Sequence, residues 1–559
     1  MTTRPKMDRT MRAVGWAAQR ALKFPPAVDR EVTVEKDLRI RADDGVVLLA
    51  DHWAPANAPD GERLEQLPVV LVRTAYGSGG PLGWMYGRAL AERGMHALVV
   101  RSRGTFGSGG KFLAMRNERE DGLAALRWLA EQPWAGGGVV LAGSSYFGYT
   151  QWAVAADAPV QVKAMVPHIT SSRLAVTLLR PDRVELDTLL NWVWNTSTQE
   201  RPRALMRAML GLDRKHIDKA LNALPLVDGD KVLLGAESTF YQECLHHDQD
   251  DPYWKGTDLS GTVGDVTVPV SSVTGWYDIF LVDQLKDFQK LVEAGRSPRL
   301  TVGPWWHADA RGMAASISEV VDWGAALARD EAPAERAPVR LFVMGVEQWR
   351  DFDQWPPAGY AEQRWHLNPG AALGAAPTRE APPTSFIYDP MNPTPSLGGP
   401  KLDANGVGPK DNRPLEKRDD VLTFTSEALD TDVEVVGEVS AEVWVSADRP
   451  SCDVFVRLCD VSPNGKSTNI CDDLVKVRPD GITKVSVQLS PTAYVFRRGH
   501  RIRVQVSAGA FPRFARSLGS DEPIVTAVTA HRTTMEVFHD PEHPSAILLP
   551  VKPATAQHR

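Results

Sequence analysis

The feature that most constrains this chain is a strand-to-helix turn near residue 140. The apolar run GVVL at 138–141 leads into AGSSYFG, and the chain then passes into TQWAVAADAP. Small residues are needed wherever two backbone segments approach closely, and a turn that pushes one side chain into the open is such a place. Gly143 and Gly148 enclose two serines there, so Ser145 is a candidate nucleophile.

The turn belongs to a longer alternation of short apolar runs and helical stretches. Runs such as LPVVLVRTAY, MHALVVRSRG and GGVVLAGSS are separated by segments such as GWMYGRALAERG and LAALRWLAEQPW. The pattern returns in VTVPVSSVTGWYD, FLVDQLKDFQKLVEAG and RLTVGPWWH. Apolar strands separated by helices indicate a parallel α/β sheet with both faces covered.

The chain of 559 residues is too long for one core, since single cores stop growing near about 250–300 residues. A helical passage interrupts the α/β pattern and is most simply a cap over the strand ends, where ligands of such sheets bind. After a proline-rich passage, short alternating segments such as VEVVGEVSAEVWVSA favour an antiparallel sandwich. We therefore predict a basic tail at 1–31, an α/β domain at 32–170 and 263–350, a cap at 171–262 and a β-domain at 351–559.

A serine nucleophile needs a base, because its hydroxyl is weakly nucleophilic at neutral pH. In α/β-hydrolases the acid and then the base follow the serine, each at the end of a later strand. Asp278 ends the apolar run SSVTGWYD, and His307 ends the next run, TVGPWWH. The residue types, their order and their positions at strand ends predict a Ser145–His307–Asp278 triad. The backbone N–H of Tyr146, directly after the serine, is one donor for the oxyanion of an acyl-transfer reaction.

Several motifs resemble one family, the CocE/NonD hydrolases, which belong with the X-Pro dipeptidyl-peptidase-like serine hydrolases. The resemblance runs from about residue 32 to the C-terminus and is carried by these stretches: GSSYFGYTQW, GWYD, VGPWWH, FVMGVEQWRD, DPMNPTPSLGG, GHRIRVQVSAGAFPRF and HPSAILLPV. It implies an α/β-hydrolase fold with an inserted helical cap and a C-terminal jelly-roll domain. The family's G-x-S-x-x-G places the nucleophile at Ser145, leaving Ser144 as the variable position. It also implies that the hydroxyl of Tyr76, in LVRTAYGSG, is the second oxyanion donor.

The resemblance further implies a serine esterase or amidase that forms an acyl-enzyme and needs no metal or organic cofactor. Trp192 is similar to a tryptophan that lines the acyl site in the family, and Phe280 stands two residues beyond Asp278. An X-Pro dipeptidyl-peptidase or an α-amino-acid ester hydrolase is the alternative. In the amino-ester hydrolases that this chain resembles, acidic residues follow closely on the triad aspartate, but here Phe280 and Leu281 occupy those places. Asp403 lies in a loop that resembles a pocket-lining loop of the family's namesake esterase. That esterase has an aromatic residue at the position of Asp403. A binding protein built on the jelly roll is the third reading, against which an intact triad argues.

Net charge and composition limit the kinds of molecule that this protein is expected to bind. A net charge of −7 gives no reason to expect nucleic acid or an anionic membrane, and no apolar run reaches the length of a membrane span. Four irregularly spaced cysteines do not make a disulfide framework, which favours a cytoplasmic protein. The cluster Cys244, His246, His247 and Asp248 lacks zinc-like spacing, so we expect no metal site there. The expected partner is a small ester or amide, and a homodimer is left open.

Overall fold

The computed structural model describes most of the chain and divides it into two units. The described residues are 16, 19–59, 61–174, 179–180, 183–201, 203–204, 207, 211–378, 382–402 and 406–553. Unit 1 comprises those within 1–177, 252–275 and 283–338, and unit 2 comprises those within 178–251, 276–282 and 339–559. Asp403 and most of the predicted N-terminal tail lie outside the described residues.

Strands and helices alternate in the first half of the chain and strands dominate the second. The strands are β1 (Val32–Arg41), β2 (Val47–Pro55), β3 (Val69–Thr74), β4 (His96–Arg101), β5 (Val139–Ser144), β6 (Val162–His168), β7 (Leu179–Arg180), β8 (Arg183–Val184), β9 (Ser271–Tyr277), β10 (Arg299–Trp306), β11 (Val339–Val343), β12 (Gln348–Phe352), β13 (Ala361–Asn368), β14 (Ala372–Gly374), β15 (Thr384–Tyr388), β16 (Val421–Thr425), β17 (Val433–Gly437), β18 (Ser440–Ala447), β19 (Cys452–Val461), β20 (Ser467–Val477), β21 (Thr483–Gln488), β22 (Thr492–Phe496), β23 (Arg501–Ser507), β24 (Thr533–Val537) and β25 (Ala546–Val551). The helices of four or more residues are α1 (Glu118–Ala130), α2 (Tyr146–Ala155), α3 (Leu186–Thr198), α4 (Arg214–Leu221), α5 (Gly229–Leu234), α6 (Thr239–His246), α7 (Leu281–Glu293), α8 (Ala310–Glu319) and α9 (Ala325–Ala328), with π-helical segments at Gly83–Arg88 and Val320–Gly324.

Unit 1 is built on a sheet in the order β1-β2-β4-β3-β5-β6-β9-β10. The pairs β3–β4, β3–β5, β5–β6 and β6–β9 are parallel, as predicted from the apolar runs. Every residue of β3, β4 and β5 is buried, because helices cover both faces of a parallel sheet. Leu71, Leu98, Leu141 and Met165 lie in one core with Leu126 of α1 and Trp152 of α2.

The first part of this sheet departs from the purely parallel arrangement that we predicted. β1 pairs antiparallel with β2, and β2 pairs antiparallel with β4. Only residues 42–46 join β1 to β2, and a parallel pair needs a crossover of a dozen or more residues. The connection is therefore a hairpin, and the parallel order begins at β3.

Unit 2 contains the helices α3 to α6 and a strand-rich C-terminal part. Thirteen of its strands form one sheet with the path β15-β24-β18-β25-β13-β14-β16-β23-β19-β20, to which β17, β21 and β22 are attached. Alternate residues of β18 and β21 are buried, as expected for antiparallel strands with one solvated face. β11 and β12 form an antiparallel pair.

Two further properties concern the cysteines and the length of the helices. All four cysteines are buried free thiols. Within the described residues no helix is both long enough and apolar enough to cross a membrane.

Candidate active site

Ser145 occupies the turn between β5 and α2 in a backbone conformation that few residues adopt. Its φ is 55° and its ψ is −122°, whereas α2 begins immediately afterwards at Tyr146. Positive φ is costly for a residue with a Cβ, and such strain persists only where the surroundings impose it. Ser145 is also partly exposed between buried neighbours. The turn therefore presents one side chain at the carboxyl end of a buried strand, as expected of a nucleophile elbow.

The two glycines that enclose the serines are explained by close approaches. A Cβ at Gly143, whose φ is +145°, would clash with Cβ of Phe147 on the first turn of α2. A Cβ at Gly148 would clash with the side chain of Thr170, which follows β6. Neither position accommodates a side chain unless the turn opens.

Ser144 and Ser145 differ in surroundings. The Ser144 side chain is buried, and its Oγ lies 3.1 Å from the hydroxyl of Tyr86. Burial raises the pKa of Tyr86 to about 12, so this hydroxyl stays protonated at neutral pH. Ser144 is thus held in a buried hydrogen bond, while Ser145 is partly exposed.

The backbone of Ser145 is held from the segment that follows β6. The Ser145 N–H donates to the carbonyl of His168 at 2.9 Å, and the Thr170 hydroxyl donates to the Ser145 carbonyl at 2.8 Å. Gln284 of α7 fixes this segment in turn, since its Oε1 accepts from the Thr170 N–H at 3.2 Å and its Nε2 donates to the Pro167 carbonyl at 3.1 Å. Sequence reasoning missed Thr170 and Gln284. The one signal was Gly148, which indicates a close neighbour without identifying it.

His307 is brought to Ser145 although 162 positions separate them. It follows β10, its side chain is buried, and its Nε2 lies 3.0 Å from Ser145 Oγ. This separation is a hydrogen-bond distance and is the one that a base needs in order to take the proton of a serine hydroxyl.

A second histidine lies in the same region. His168 ends β6 and is 1% exposed, and neither of its ring nitrogens has a hydrogen-bond partner among the described residues. Burial and, to a smaller degree, the nearby His307 lower the pKa of His168 to about 3. The imidazole of His168 is therefore neutral at neutral pH, and it adds no charge beside His307.

Asp278 follows the end of β9, which neighbours β10 in the sheet order. Its side chain is buried, and its Oδ1 accepts the N–H of Phe280 at 2.8 Å, just before α7 begins. The carboxylate therefore closes the turn into α7, as strand-terminal aspartates often do.

The two residues predicted for the acyl site both lie in unit 2. Phe280 is 4% exposed. Trp192 on α3 is half-buried and packs against Phe240 of α6, with ring centroids 4.5 Å apart. Phe240 was not predicted, because nothing in its sequence context links it to Trp192.

Tyr76 and Tyr146 pack against each other. Tyr76 lies in the loop after β3, is half-buried, and its N–H donates to the Thr74 hydroxyl at 2.9 Å. Its ring meets that of Tyr146 edge-on at 6.3 Å between centroids and that of Phe147 at 5.4 Å. Because the N–H of Tyr146 lies at the first position of α2, it needs no partner within the helix.

In the cluster that was considered above as a metal site, the cysteine is buried and the two histidines make separate local contacts. Burial raises the pKa of the Cys244 thiol well above its usual value, while His246 Nδ1 lies 2.8 Å from the Gln242 carbonyl and His247 Nδ1 lies 2.9 Å from Asp251. Among the described residues, three groups of the metal-binding type come together at Asp540, Glu542 and His543, which the sequence analysis did not single out.

Comparisons with known proteins identify the family of the chain. Residues 44–309 match the model of the X-Pro dipeptidyl-peptidase (S15 family), and residues 332–548 match that of the X-Pro dipeptidyl-peptidase C-terminal non-catalytic domain. The cocaine esterase of Rhodococcus sp. (strain MB1 Bresler) is 30% identical over 580 residues, covering 94% of this chain and 99% of the esterase. The chain belongs to the CocE/NonD family of serine hydrolases.

Solved structures share the fold of this chain at lower sequence identity. An aminopeptidase from a marine sediment archaeon, Thaumarchaeota archaeon, is similar with a TM-score of 0.80 at 20% identity, over 94% of this chain and 98% of that one. An α-amino acid ester hydrolase has a TM-score of 0.72 at 19% identity, with the same coverage. The protein is thus a hydrolase with an α/β-hydrolase fold and a strand-rich C-terminal domain, which confirms the predicted family and its coarse architecture.

Thr170→Val tests the support behind Ser145. Valine keeps the shape of the side chain but removes the hydroxyl that donates to the Ser145 carbonyl. We expect turnover of a simple ester to fall by about tenfold, which corresponds to one buried hydrogen bond. Thr170→Ser, which keeps the hydroxyl, is the control and should retain most of the turnover. Equal turnover of Thr170→Val and wild type, measured at saturating substrate, would show that this bond does not position the serine.

Proposed function

We propose that the protein is a serine hydrolase that cleaves carboxylic ester bonds, and amide bonds of suitable geometry, through an acyl-enzyme. The observation that carries this proposal is the 3.0 Å separation between His307 Nε2 and Ser145 Oγ in a turn that exposes Ser145. A neutral imidazole at this distance accepts the serine proton as the oxygen attacks a carbonyl carbon.

The proposed reaction has two half-reactions. In the first, Ser145 Oγ bonds to the substrate carbonyl, His307 Nε2 takes the proton, and the same proton then passes to the leaving alcohol or amine. In the second, His307 Nε2 takes a proton from water as the water oxygen attacks the acyl carbon, and it returns that proton to Ser145 Oγ as the bond from Oγ to the acyl carbon breaks and the acid leaves. Since Nε2 must accept a proton, the resting imidazole carries its hydrogen on Nδ1, and Asp278 is assigned the role of orienting that tautomer.

Both steps pass through a tetrahedral oxyanion that needs hydrogen-bond donors. We assign the Tyr146 N–H and the Tyr76 hydroxyl to this role. The edge-on packing of the Tyr76 ring on the Tyr146 ring supports this assignment, because it places the two residues next to each other. A donor aimed at a developing oxyanion contributes about 3–4 kcal/mol to the transition state.

The remaining architecture is assigned on the same basis. Helices α3 to α6 are proposed as the cap, and the mainly antiparallel sheet of β13 to β25 is proposed as the jelly roll that the resemblance to this family implies. The expected partner is a small neutral ester or amide, in a cytoplasmic protein that requires neither nucleic acid, membrane nor cofactor. A homodimer is compatible with this function and is not required by it.

The acyl group is proposed to be neutral and apolar. Phe280 and Trp192, assigned to the acyl site, are large and cannot neutralise an ammonium group. Burying a free α-amine without a counter-ion costs several kcal/mol, whereas burying an apolar acyl group contributes about 1–3 kcal/mol. An X-Pro dipeptidyl-peptidase or α-amino-acid ester hydrolase, the alternative supported by the S15 match and the aminopeptidase-like fold, requires such a counter-ion. Asp403 is the residue that would supply it if its loop reached the substrate.

The choice between the two serines tests the proposed nucleophile. Ser145→Ala removes the attacking oxygen and should abolish ester hydrolysis, while Ser144→Ala should leave most of it because Ser144 is buried against Tyr86. Both variants should also be exposed to a fluorophosphonate, which labels an activated serine. Loss of labelling in Ser144→Ala with labelling retained in Ser145→Ala would reject the assignment.

Paired esters test the acyl preference. Phenylacetate and phenylglycinate esters of one alcohol share a skeleton and differ in the free α-amine. We expect kcat/KM to be at least about tenfold higher for phenylacetate, because Phe280 and Leu281 stand where the amino-ester hydrolases that this chain resembles have acidic residues. A preference for phenylglycinate would favour the amino-ester alternative, and its loss in Asp403→Asn would identify the counter-ion.

A further inference from the structure

A buried ion pair that takes no part in the proposed chemistry lies behind the nucleophile. Arg73 on β3 and Glu118 at the start of α1 are each 4% exposed. Arg73 Nη2 bonds to Glu118 Oε2, and its Nη1 donates to the Glu118 carbonyl at 2.6 Å. Removing two charges from water costs free energy that their attraction repays only in part, so an ion pair of this kind is weak support for stability alone. Its position suggests another role.

The second oxygen of Glu118 is bound by a tyrosine of the elbow. The Tyr146 hydroxyl donates to Glu118 Oε1 at 2.7 Å and accepts the Met115 N–H at 2.9 Å. Since the Met115 N–H already points at the phenolic oxygen, the phenolic hydrogen points at Glu118. Burial and the charge of Glu118 raise the pKa of Tyr146 well above its usual value, so the hydroxyl is a donor at every pH of interest.

Tyr146 is also the residue whose backbone N–H stands directly after Ser145. Its fully buried side chain is fixed at the far end by Glu118 and Met115, so the orientation of the peptide at its near end is fixed too. The Tyr146 ring is, in addition, the surface against which Tyr76 packs. Arg73 lies one residue before the end of β3, and the loop that carries Tyr76 starts there. One buried network therefore reaches both proposed oxyanion donors.

We propose that Glu118, held by Arg73, is a positioning residue that sets the geometry of the oxyanion hole through the side chain of Tyr146. This inference rests on the proposed function and deepens it, because it adds residues that touch neither substrate nor nucleophile. Glu118 fixes the hydroxyl of Tyr146, and the ring of Tyr146 fixes its own N–H and the Tyr76 side chain. The arrangement contributes when negative charge develops on the substrate oxygen and not when the substrate binds.

Tyr146→Phe tests the proposal and has a matched control on the same helix. The variant keeps the ring and removes the hydroxyl that binds Glu118. Tyr149→Phe is the control, since the Tyr149 hydroxyl is also buried but donates to the carbonyls of Thr257 at 3.0 Å and Met115 at 3.4 Å. We expect kcat of Tyr146→Phe to fall by about ten- to a hundredfold with KM within twofold, while Tyr149→Phe keeps kcat within threefold.

A double-mutant cycle with Tyr76→Phe distinguishes positioning from general loosening. If Tyr146 acts through the oxyanion hole, the double variant loses less than the product of the two single losses, because both changes damage one structure. Multiplicative losses, a change confined to KM, or equal losses in Tyr146→Phe and Tyr149→Phe would overturn the proposal. Should Tyr146→Phe fail to fold, Glu118→Gln in the same cycle carries the test, with the same expected overlap.

The rate of labelling by a fluorophosphonate separates this inference from the proposed function. Phosphonylation of Ser145 also develops charge on an oxygen, so Tyr146→Phe should label about tenfold or more slowly than wild type. Absence of labelling in the wild-type protein would reject the serine hydrolase itself. Normal labelling of both wild type and Tyr146→Phe would leave the hydrolase standing and reject the role of Glu118.

Discussion

The site depends on one backbone conformation, the positive φ of Ser145. A residue with a Cβ adopts that conformation only when its surroundings hold it, and here they do so on both sides. The His168 carbonyl accepts the Ser145 N–H, while Thr170 and the first turn of α2 bind the Ser145 carbonyl. Glycine is required at 143 and 148 because Phe147 and Thr170 approach the backbone at these two positions too closely to leave room for a Cβ. The exposed hydroxyl that meets His307 is the result.

The titratable side chains around this turn include two histidines near Ser145 and an ion pair behind the turn. The two imidazoles near Ser145 differ, because His168 is buried and stays neutral while His307 reaches the serine hydroxyl. Behind the turn, Arg73 and Glu118 neutralise each other, and the remaining oxygen of Glu118 binds Tyr146.

The sequence was sufficient for the parts that local pattern and chain order determine. The apolar run, the paired glycines and the helix after them predicted the turn at Ser145, and the strand ends predicted the placement of His307. The partners of that turn could not be predicted, since Thr170, Gln284 and Glu118 reach it only through the fold. The hairpin of β1 and β2 was missed because buried antiparallel strands near the start of the sheet carry the same apolar pattern as parallel ones. The catalytic roles stay predictions for every site residue: Ser145, His307, Asp278, Tyr76, Tyr146, Phe280 and Trp192.

The central claim is that Ser145 forms the covalent intermediate while Tyr146 and Tyr76 stabilise its oxyanion. A crystal structure of the protein inactivated by a phosphonate ester tests this most directly, because the phosphonyl oxygen stands in for the oxyanion of the tetrahedral state. The account predicts phosphorus bonded to Ser145 Oγ, with that oxygen within about 3 Å of both the Tyr146 nitrogen and the Tyr76 hydroxyl. Phosphorus on another residue, or an oxygen directed away from both tyrosines, would contradict it.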